Sequence, residues 1–276
     1  MSYSVRSATV RHGDTLALDD VTVVVQPGGV VVVVGGDGAG KTTLLRAMVG
    51  EVALDVGTVD VPPAQEIGYL TASAGSWPAL TVRQNMDFVG GIYGLSGDQL
   101  DRRREELLAR AGLTAAGDRL ASQLSGGMRR KLGFSMTMLH QPPLLVLDEP
   151  TTGVDPVSRV DLWRLVSEAA AAGAAVLMST TYLDEAERAG SLLVLDGGRT
   201  LAEGSLDQVR AALVGTITTD DVPHRAAWSW RRGRQHHEYW PAGAAVARSA
   251  VAIRPDLEDV VVALSLQRRS TVGAAR

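Results

Sequence analysis

The 276-residue sequence contains no cysteine, which excludes disulfides and thiolate metal sites and fits a reducing cytosol. It lacks an excess of either charge, since 27 basic residues against 31 acidic ones leave a net charge of -4. That balance gives no global pull toward nucleic acid or an anionic membrane, so any such contact has to be local. Long apolar runs are missing as well. The densest stretches, GGVVVVVGG and EAAAAGAAVLM, fall short of the roughly 18 uncharged residues that a membrane span needs. The start, MSYSVRSATVRHGD, lacks the basic-then-apolar layout of a signal peptide. If the protein works at a membrane, the expectation is that another chain spans it.

What is present is enough for a core, with 45% hydrophobic residues in a chain sized for one large domain plus a small appendage. LALDDVTVVVQPGG reads as an alternating strand that ends in a Pro-Gly turn, and Val30 to Val34 as a strand buried on both faces. The first pattern suits antiparallel pairing and the second parallel pairing. Similar buried runs recur at PLLVLD and GAAVLMST with helical patterns between them, so the fold class is α/β with a parallel sheet.

A more polar, helical section runs from about 81 to 123. Its segment SGDQLDRRREELLARAG predicts a capping box from Ser96 to Gln99 and a stop at Gly112, with DRRREE as a solvated face. GSLDQV predicts a shorter capped helix. After Gly215 the texture changes, and residues 216–276 read as an appended subdomain beside a main domain of residues 1–215. WSWRRGRQHHEYW in this tail has the arginines and aromatics of a nucleic-acid surface, but subdomain packing is preferred in a chain of acidic balance. His236 and His237 point to opposite faces if they lie on a strand, which argues against a metal pair. PDLEDVVVALSL closes the tail as a helix started by proline.

Three motifs carry chemistry. GGDGAGKTT, comprising Gly35, Gly36, Asp37, Gly38, Ala39, Gly40, Lys41, Thr42 and Thr43, satisfies G-x-x-x-x-G-K-[ST] directly after the valine strand. Its glycines let backbone N–H groups wrap phosphate oxygens, the next helix offers its positive end, Lys41 reaches the outer phosphates and Thr42 can ligate magnesium. LLVLDEP puts two carboxylates at the polar end of a strand, with Asp148 placed for the magnesium shell and Glu149 to orient or deprotonate a water. LSGGM, with Leu124, Ser125, Gly126 and Gly127, makes a second anion-ready helix start. One nucleotide already has its cradle, so the second cradle implies two chains paired head to tail.

With these motifs in order, and TTGVD following the second, the sequence resembles the ATP-binding cassette (ABC) family, specifically the stand-alone subunits of ABC-2 type drug exporters. The resemblance spans roughly residues 4–213. It implies a P-loop NTPase with a RecA-like parallel core sheet, an antiparallel β subdomain and a helical subdomain bearing the signature loop. It further implies ATP and Mg2+ as ligands, Asp155 as a residue that communicates across a dimer, and an ATPase that drives efflux through an integral membrane permease subunit. The second ABC subunit is the same chain or a different one. Such a chain sits on the cytoplasmic face of the cell membrane and has no nucleic-acid partner.

Three positions depart from the family pattern. His12 stands where an aromatic usually stacks on adenine, Ala72 where a glutamine contacts magnesium and water, and Thr181 where a histidine touches the γ-phosphate. Thr181 offers a short hydroxyl and Ala72 no donor at all. Two readings follow: a competent ATPase, because Lys41, Thr42, Asp148, Glu149 and Ser125 remain, or an ATP-binding, weakly hydrolysing partner in a heterodimer. Trp77 and Tyr93 flank the region through which the family contacts its membrane subunit. They serve either local packing or a docking groove.

Overall fold

Five consecutive valines shape the centre of the molecule, because β-branched side chains fit a pleated strand and leave no polar group to solvate. The computed structural model describes residues 2–73 and 75–274. In it β1 (Tyr3–His12) and β2 (Thr15–Val25) form an antiparallel hairpin, and the valine run is β3 (Val30–Val34). Next come α1 (Lys41–Met48), β4 (Val56–Asp60) and β5 (Ile67–Leu70). The helical section comprises α2 (Val82–Ile92), α3 (Gly97–Arg110) and α4 (Gly126–Thr137). The chain returns through β6 (Leu144–Leu147), α5 (Pro156–Ala171), β7 (Ala175–Thr180) and the short α6 (Leu183–Ala186). It continues with β8 (Ser191–Asp196), β9 (Arg199–Gly204) and α7 (Leu206–Ala211).

The core sheet has the order β5-β6-β7-β3-β8-β9, parallel except for the antiparallel edge strand β9. Alternation along β3 divides its side chains between two cores. Val31 and Val33 join α1 residues Leu44, Leu45 and Met48 and the hairpin's Val5, Val10 and Leu18. Val32 and Val34 join the side built by Leu132, Phe134, Leu162 and Val166. Each such buried valine contributes roughly 1.5–3 kcal/mol, so a charge at Val33 would undo the sheet's centre. A second, antiparallel sheet of order β2-β1-β4 covers the first core. Both faces of the parallel sheet are therefore buried, and its strand ends gather the polar loops.

The helical section departs from two sequence expectations. Ser96 is the N-cap of α3, yet its side chain makes no capping hydrogen bond. Gly97 takes a left-handed φ of 54°, which turns the first amides away from the serine hydroxyl. Reciprocal capping boxes do form at Thr81 with Gln84 and at Ser205 with Gln208. The run DRRREE is not simply a solvated face either. Arg103 donates to Met138 O at 2.8 Å, and Arg104 pairs with Asp87 on α2, so both arginines tie α3 to its neighbours.

The tail folds as β10 (Gly215–Asp220), β11 (Ser229–Arg232), β12 (Gln235–Pro241) and β13 (Val251–Ile253), in the order β11-β12-β10-β13, followed by α8 (Leu257–Ala274). One sheet face, with Ile217 and Tyr239, packs on Ala263 of α8. The same helix buries Leu257, Val260 and Leu264 in the main core, so α8 is shared between the two cores. His237 Nδ1 lies 2.7 Å from Asp259 Oδ1, an internal contact between β12 and α8.

Candidate functional site

The loop between β3 and α1 builds the first part of the site. Gly40 is the N-cap of α1 with φ 102°, and a Cβ there would stand 2.7 Å from Ala17 O, so only glycine permits this approach of loop and hairpin. The first amides of α1 consequently face a cavity of about 330 Å³, lined by Thr15 to Ala17, Asp37 to Thr43 and Glu149. Lys41 is buried, and its Nζ donates to Gly35 O at 2.9 Å and to Gly36 O at 3.1 Å. The same Nζ stands 3.8 Å from Glu149 Oε1. An unwrapped helix start plus a buried ammonium is the arrangement that binds polyphosphate.

Asp148 and Glu149 leave the end of β6 beside this loop. Thr42 Oγ1 donates to Asp148 Oδ1 at 3.3 Å, which brings together the two hard oxygen groups expected to hold magnesium. Their chemistry fits that ion, which keeps several waters and binds through one or two protein oxygens plus phosphate. Among the described residues no group of three or more His, Asp or Glu could hold a metal independently of a nucleotide. Glu149 has φ 46°, a left-handed conformation uncommon for a residue with a side chain. Its Oε2 accepts from Thr152 Oγ1 at 3.0 Å and its N–H donates to Ser179 Oγ at 2.9 Å.

Ser179 went unnoticed in the sequence. It is fully buried on β7, and its hydroxyl donates to Asp148 Oδ1 at 2.7 Å while accepting from Glu149. The parallel register pairs Leu147 with Met178, which places the next residue of each strand side by side. Only knowledge of that register would have singled out one serine from STT.

The remaining expected residues lie outside the cavity lining. His12 ends β1, exposed, across the hairpin turn from Thr15, whose strand contributes to the lining instead. Thr181 is exposed just after β7, and Thr180, not Thr181, supplies the hydroxyl that accepts from Tyr182 N–H at 3.0 Å. Leu124, Ser125, Gly126 and Gly127 stand at the start of α4, where Ser125 Oγ accepts from Met128 N–H at 3.2 Å. A Cβ on Gly127 would meet Ser158 Oγ at 2.4 Å. Gly127 therefore packs against α5 of its own chain, a Cβ on Gly126 would meet Gly153 O at 3.3 Å, and neither glycine lines the phosphate cavity. Asp155 caps α5 through Val157 and Ser158 amides at 3.1 and 3.0 Å. Hydrogen bonds from Ser158 hold its carboxyl below the usual range.

Two further groups escaped sequence reading. Glu185 is buried and accepts from Thr151 Oγ1 at 2.7 Å. Arg130 of α4 donates to Thr71 O at 3.1 Å and also to Ala72 O. The loop that carries Ala72 is tied to the carboxylates from its other side, because Asp148 N–H donates to Leu70 O at 2.8 Å.

A groove opens away from this site. Tyr69, Trp77, Val89, Tyr93 and Met136 line it, with a cavity of about 180 Å³. Buried Asn85 fixes Trp77 by accepting from its N–H at 2.7 Å and donating to its carbonyl at 3.1 Å. Trp77 meets Phe88 edge-on at a centroid distance of 4.6 Å, and Tyr93 stacks on His140 at 3.7 Å.

The family model described as ABC transporter matches residues 18–152. At 37% identity over 223 residues, 77% of this chain and 71% of the relative, the sequence is similar to the daunorubicin resistance ATP-binding protein DrrA3 of Streptomyces coeruleorubidus. It is 34% identical over 221 residues, 76% of this chain and 73% of the relative, to the Nod factor export ATP-binding protein I of Cupriavidus metallidurans. A solved structure of an ATP binding subunit of an ABC transporter matches with a TM-score of 0.70 and 29% identity, covering 76% of this chain and 92% of that one. A dimeric ATP-binding cassette in a post-hydrolysis state bound to ADP and Pi matches with a TM-score of 0.67 at 22% identity, covering 75% and 99%, and shares the fold.

Proposed function

The chain belongs to the ABC transporter family as an ATP-binding subunit, and from that premise we propose that two such subunits close around ATP and hydrolyse it to drive efflux through a separate membrane permease. The observation that carries this reading is that Lys41, Thr42 and Glu149 line one cavity, with Asp148 hydrogen-bonded to Thr42 and the signature residues outside the lining in the same chain. A second chain, identical or not, would supply its Ser125 to Gly127 to the outer phosphate. The Nod factor export named for one relative, beside the daunorubicin resistance named for another, supports the direction of transport.

Thr42 and Asp148 would hold Mg2+, which when bound neutralises charge on phosphate oxygens. The loop amides and Lys41 would bind the β- and γ-phosphates. Glu149 would orient a water and take its proton as the oxygen attacks the γ-phosphorus. The bond from that phosphorus to the ADP oxygen then breaks, leaving ADP and phosphate. Because the carboxylate is held by Thr152 and its amide by Ser179, its orientation costs little reorganisation at that moment.

Coupling to transport requires a contact for the permease, and the groove at Trp77 and Tyr93 suits a helix of that subunit. Among the described residues no helix is long and apolar enough to cross a membrane. The proposed location is the cytoplasmic face of the membrane, with the permease spanning it. A second reading, a weakly hydrolysing half of a heterodimer, draws on Ala72, which has no donor, and on the exposed Thr181.

The test is ATP turnover of the purified chain, alone and with a membrane protein encoded beside it, compared with Glu149→Gln. Turnover above the Glu149→Gln background in either setting supports the motor. Equal background turnover in both settings overturns it.

A further inference from the structure

Arg130 sits on α4 five residues after Ser125, and only 9% of its surface is exposed. Its two terminal nitrogens donate to successive carbonyls, Thr71 O at 3.1 Å and Ala72 O. Neither acceptor is charged, so a full positive charge is buried against neutral partners, an expensive arrangement unless anions lie close. Burial pushes the guanidinium pKa down, and the charges of Glu149 and Asp148 pull it back up. The group stays protonated. Its geometric partners are the two loop carbonyls alone among the described hydrogen bonds, so what the guanidinium fixes is the loop backbone.

The connection is also mechanical. The carbonyls of Thr71 and Ala72 follow directly on Leu70, whose own carbonyl accepts from the Asp148 amide at 2.8 Å. A continuous path therefore runs from the signature helix through Arg130 and the loop backbone to the carboxylates. The guanidinium fork suits two successive carbonyls, which the single nitrogen of a lysine does not. At position 72, where the resemblance puts a glutamine that contacts magnesium and water, the side chain here is a methyl group.

We propose that Arg130 is a positioning residue for ATP hydrolysis, offsetting the side-chain contact that Ala72 lacks by fixing the loop backbone between the signature helix and, through Leu70, Asp148. This rests on the ATPase reading above and names a residue that reading does not use. It distinguishes a compensated site from a degraded one. The guanidinium cannot ligate magnesium as a glutamine oxygen does, so any compensation acts through the position of the loop backbone.

A simple strut between α4 and the loop predicts something different: loss of stability, with nucleotide affinity and turnover falling together. The test is steady-state hydrolysis of Mg-ATP by the full chain carrying Arg130→Met, Arg130→Lys or Ala72→Gln, and by the Arg130→Met/Ala72→Gln double variant. Thermal melting and binding of a fluorescent ATP analogue are measured alongside. Arg130→Met is expected to lower kcat about tenfold with KM for ATP held within about twofold, and Arg130→Lys to recover only part of the loss. Ala72→Gln should raise kcat more in the Arg130→Met background than in the wild type, a coupling of about threefold or more. If Arg130→Met does not fold, the same crossing is made with Arg130→Lys.

Wild-type kcat in Arg130→Met, a parallel fall of affinity and kcat, or equal effects of Ala72→Gln in both backgrounds overturns the assignment. Glu149→Gln in the same series separates the two levels. Wild-type turnover above Glu149→Gln together with an indifferent Arg130→Met removes only the role of Arg130. Wild-type turnover equal to Glu149→Gln removes the ATPase reading and this inference with it.

Discussion

Ser179 Oγ donates to Asp148 Oδ1 at 2.7 Å and accepts from the Glu149 amide at 2.9 Å, so one buried hydroxyl sets both the carboxylate proposed for magnesium and the backbone of the proposed base. Ser179→Ala removes both bonds and leaves the Glu149 amide unpaired, a loss of about 1–3 kcal/mol. Glu149 also has a positive φ, and its amide bond helps to hold that conformation. The expected outcome is a kcat lower by about tenfold and a raised half-saturating Mg2+ concentration. A magnesium titration of ATP turnover checks it. An unchanged magnesium requirement would show that Asp148 does not depend on Ser179.

Asn85 is fully buried, and its side chain hydrogen-bonds to residues 77–81, including Leu80 O at 3.2 Å and Thr81 O at 2.9 Å. Asn85→Leu keeps the volume but leaves the Trp77 amide without an acceptor, at a cost of about 2 kcal/mol. A melting temperature lower by about 5 °C is expected, with ATP affinity kept, because the phosphate cavity takes nothing from this loop. Capture of the membrane partner should weaken as Trp77 loses its fixed position. Calorimetry and co-purification with the partner are the measurements.

The difference between these residues and the motif residues explains what the sequence made legible. Gly35 to Thr43 announce themselves because a phosphate loop needs its glycines, lysine and threonine at fixed spacing along one turn of chain. The valine strand and the LLVLD strand were readable for a similar reason, since burial on both faces demands an unbroken apolar run. Ser179, Arg130 and Glu185 act across 31, 58 and 34 positions of sequence. Their partners are set by strand register and helix packing, which no local pattern encodes. Ser96 shows the converse. Its capping-box spacing was right, and a left-handed Gly97 still denied it the bond.

Asp220 tests the tail. Its carboxyl is drawn down to about 2, first by the Ser249 hydroxyl and then by His224. Ser249 Oγ stands 2.6 Å and His224 Nε2 2.8 Å from Asp220 Oδ2. The folded value lies below the ordinary carboxyl value of about 3.9, so the stabilisation is full above pH ~4 and is lost as pH falls toward the folded value. Asp220→Asn is expected to melt below wild type at pH 7. The gap should close between pH ~4 and pH ~2. Thermal melts across that range decide it, and a gap that persists at the acid end would refute the assignment.

Glu185 joins the parts of the site that the chain order separates. Its Oε2 accepts from Thr151, two residues beyond Glu149, and from Thr180 at 3.3 Å, immediately before Thr181. Its Oε1 lies 3.7 Å from Arg159 of α5, whose guanidinium carbon stands 4.8 Å over the Tyr182 ring. The TTGVD segment, the end of β7 and the helix capped by Asp155 therefore share one buried carboxylate. Glu185→Gln keeps an acceptor for the two threonines and gives up the charge opposite Arg159. Glu185→Ala leaves both hydroxyls buried without it, the costlier change. Turnover is expected to fall by about threefold in the first and by about tenfold or more in the second, with the dissociation constant for ATP within about twofold of wild type in both. Single-turnover hydrolysis beside equilibrium binding separates the two quantities. Equal losses in the two variants would place the effect in the Arg159 pair and not in the threonines, because only the charge is common to both changes.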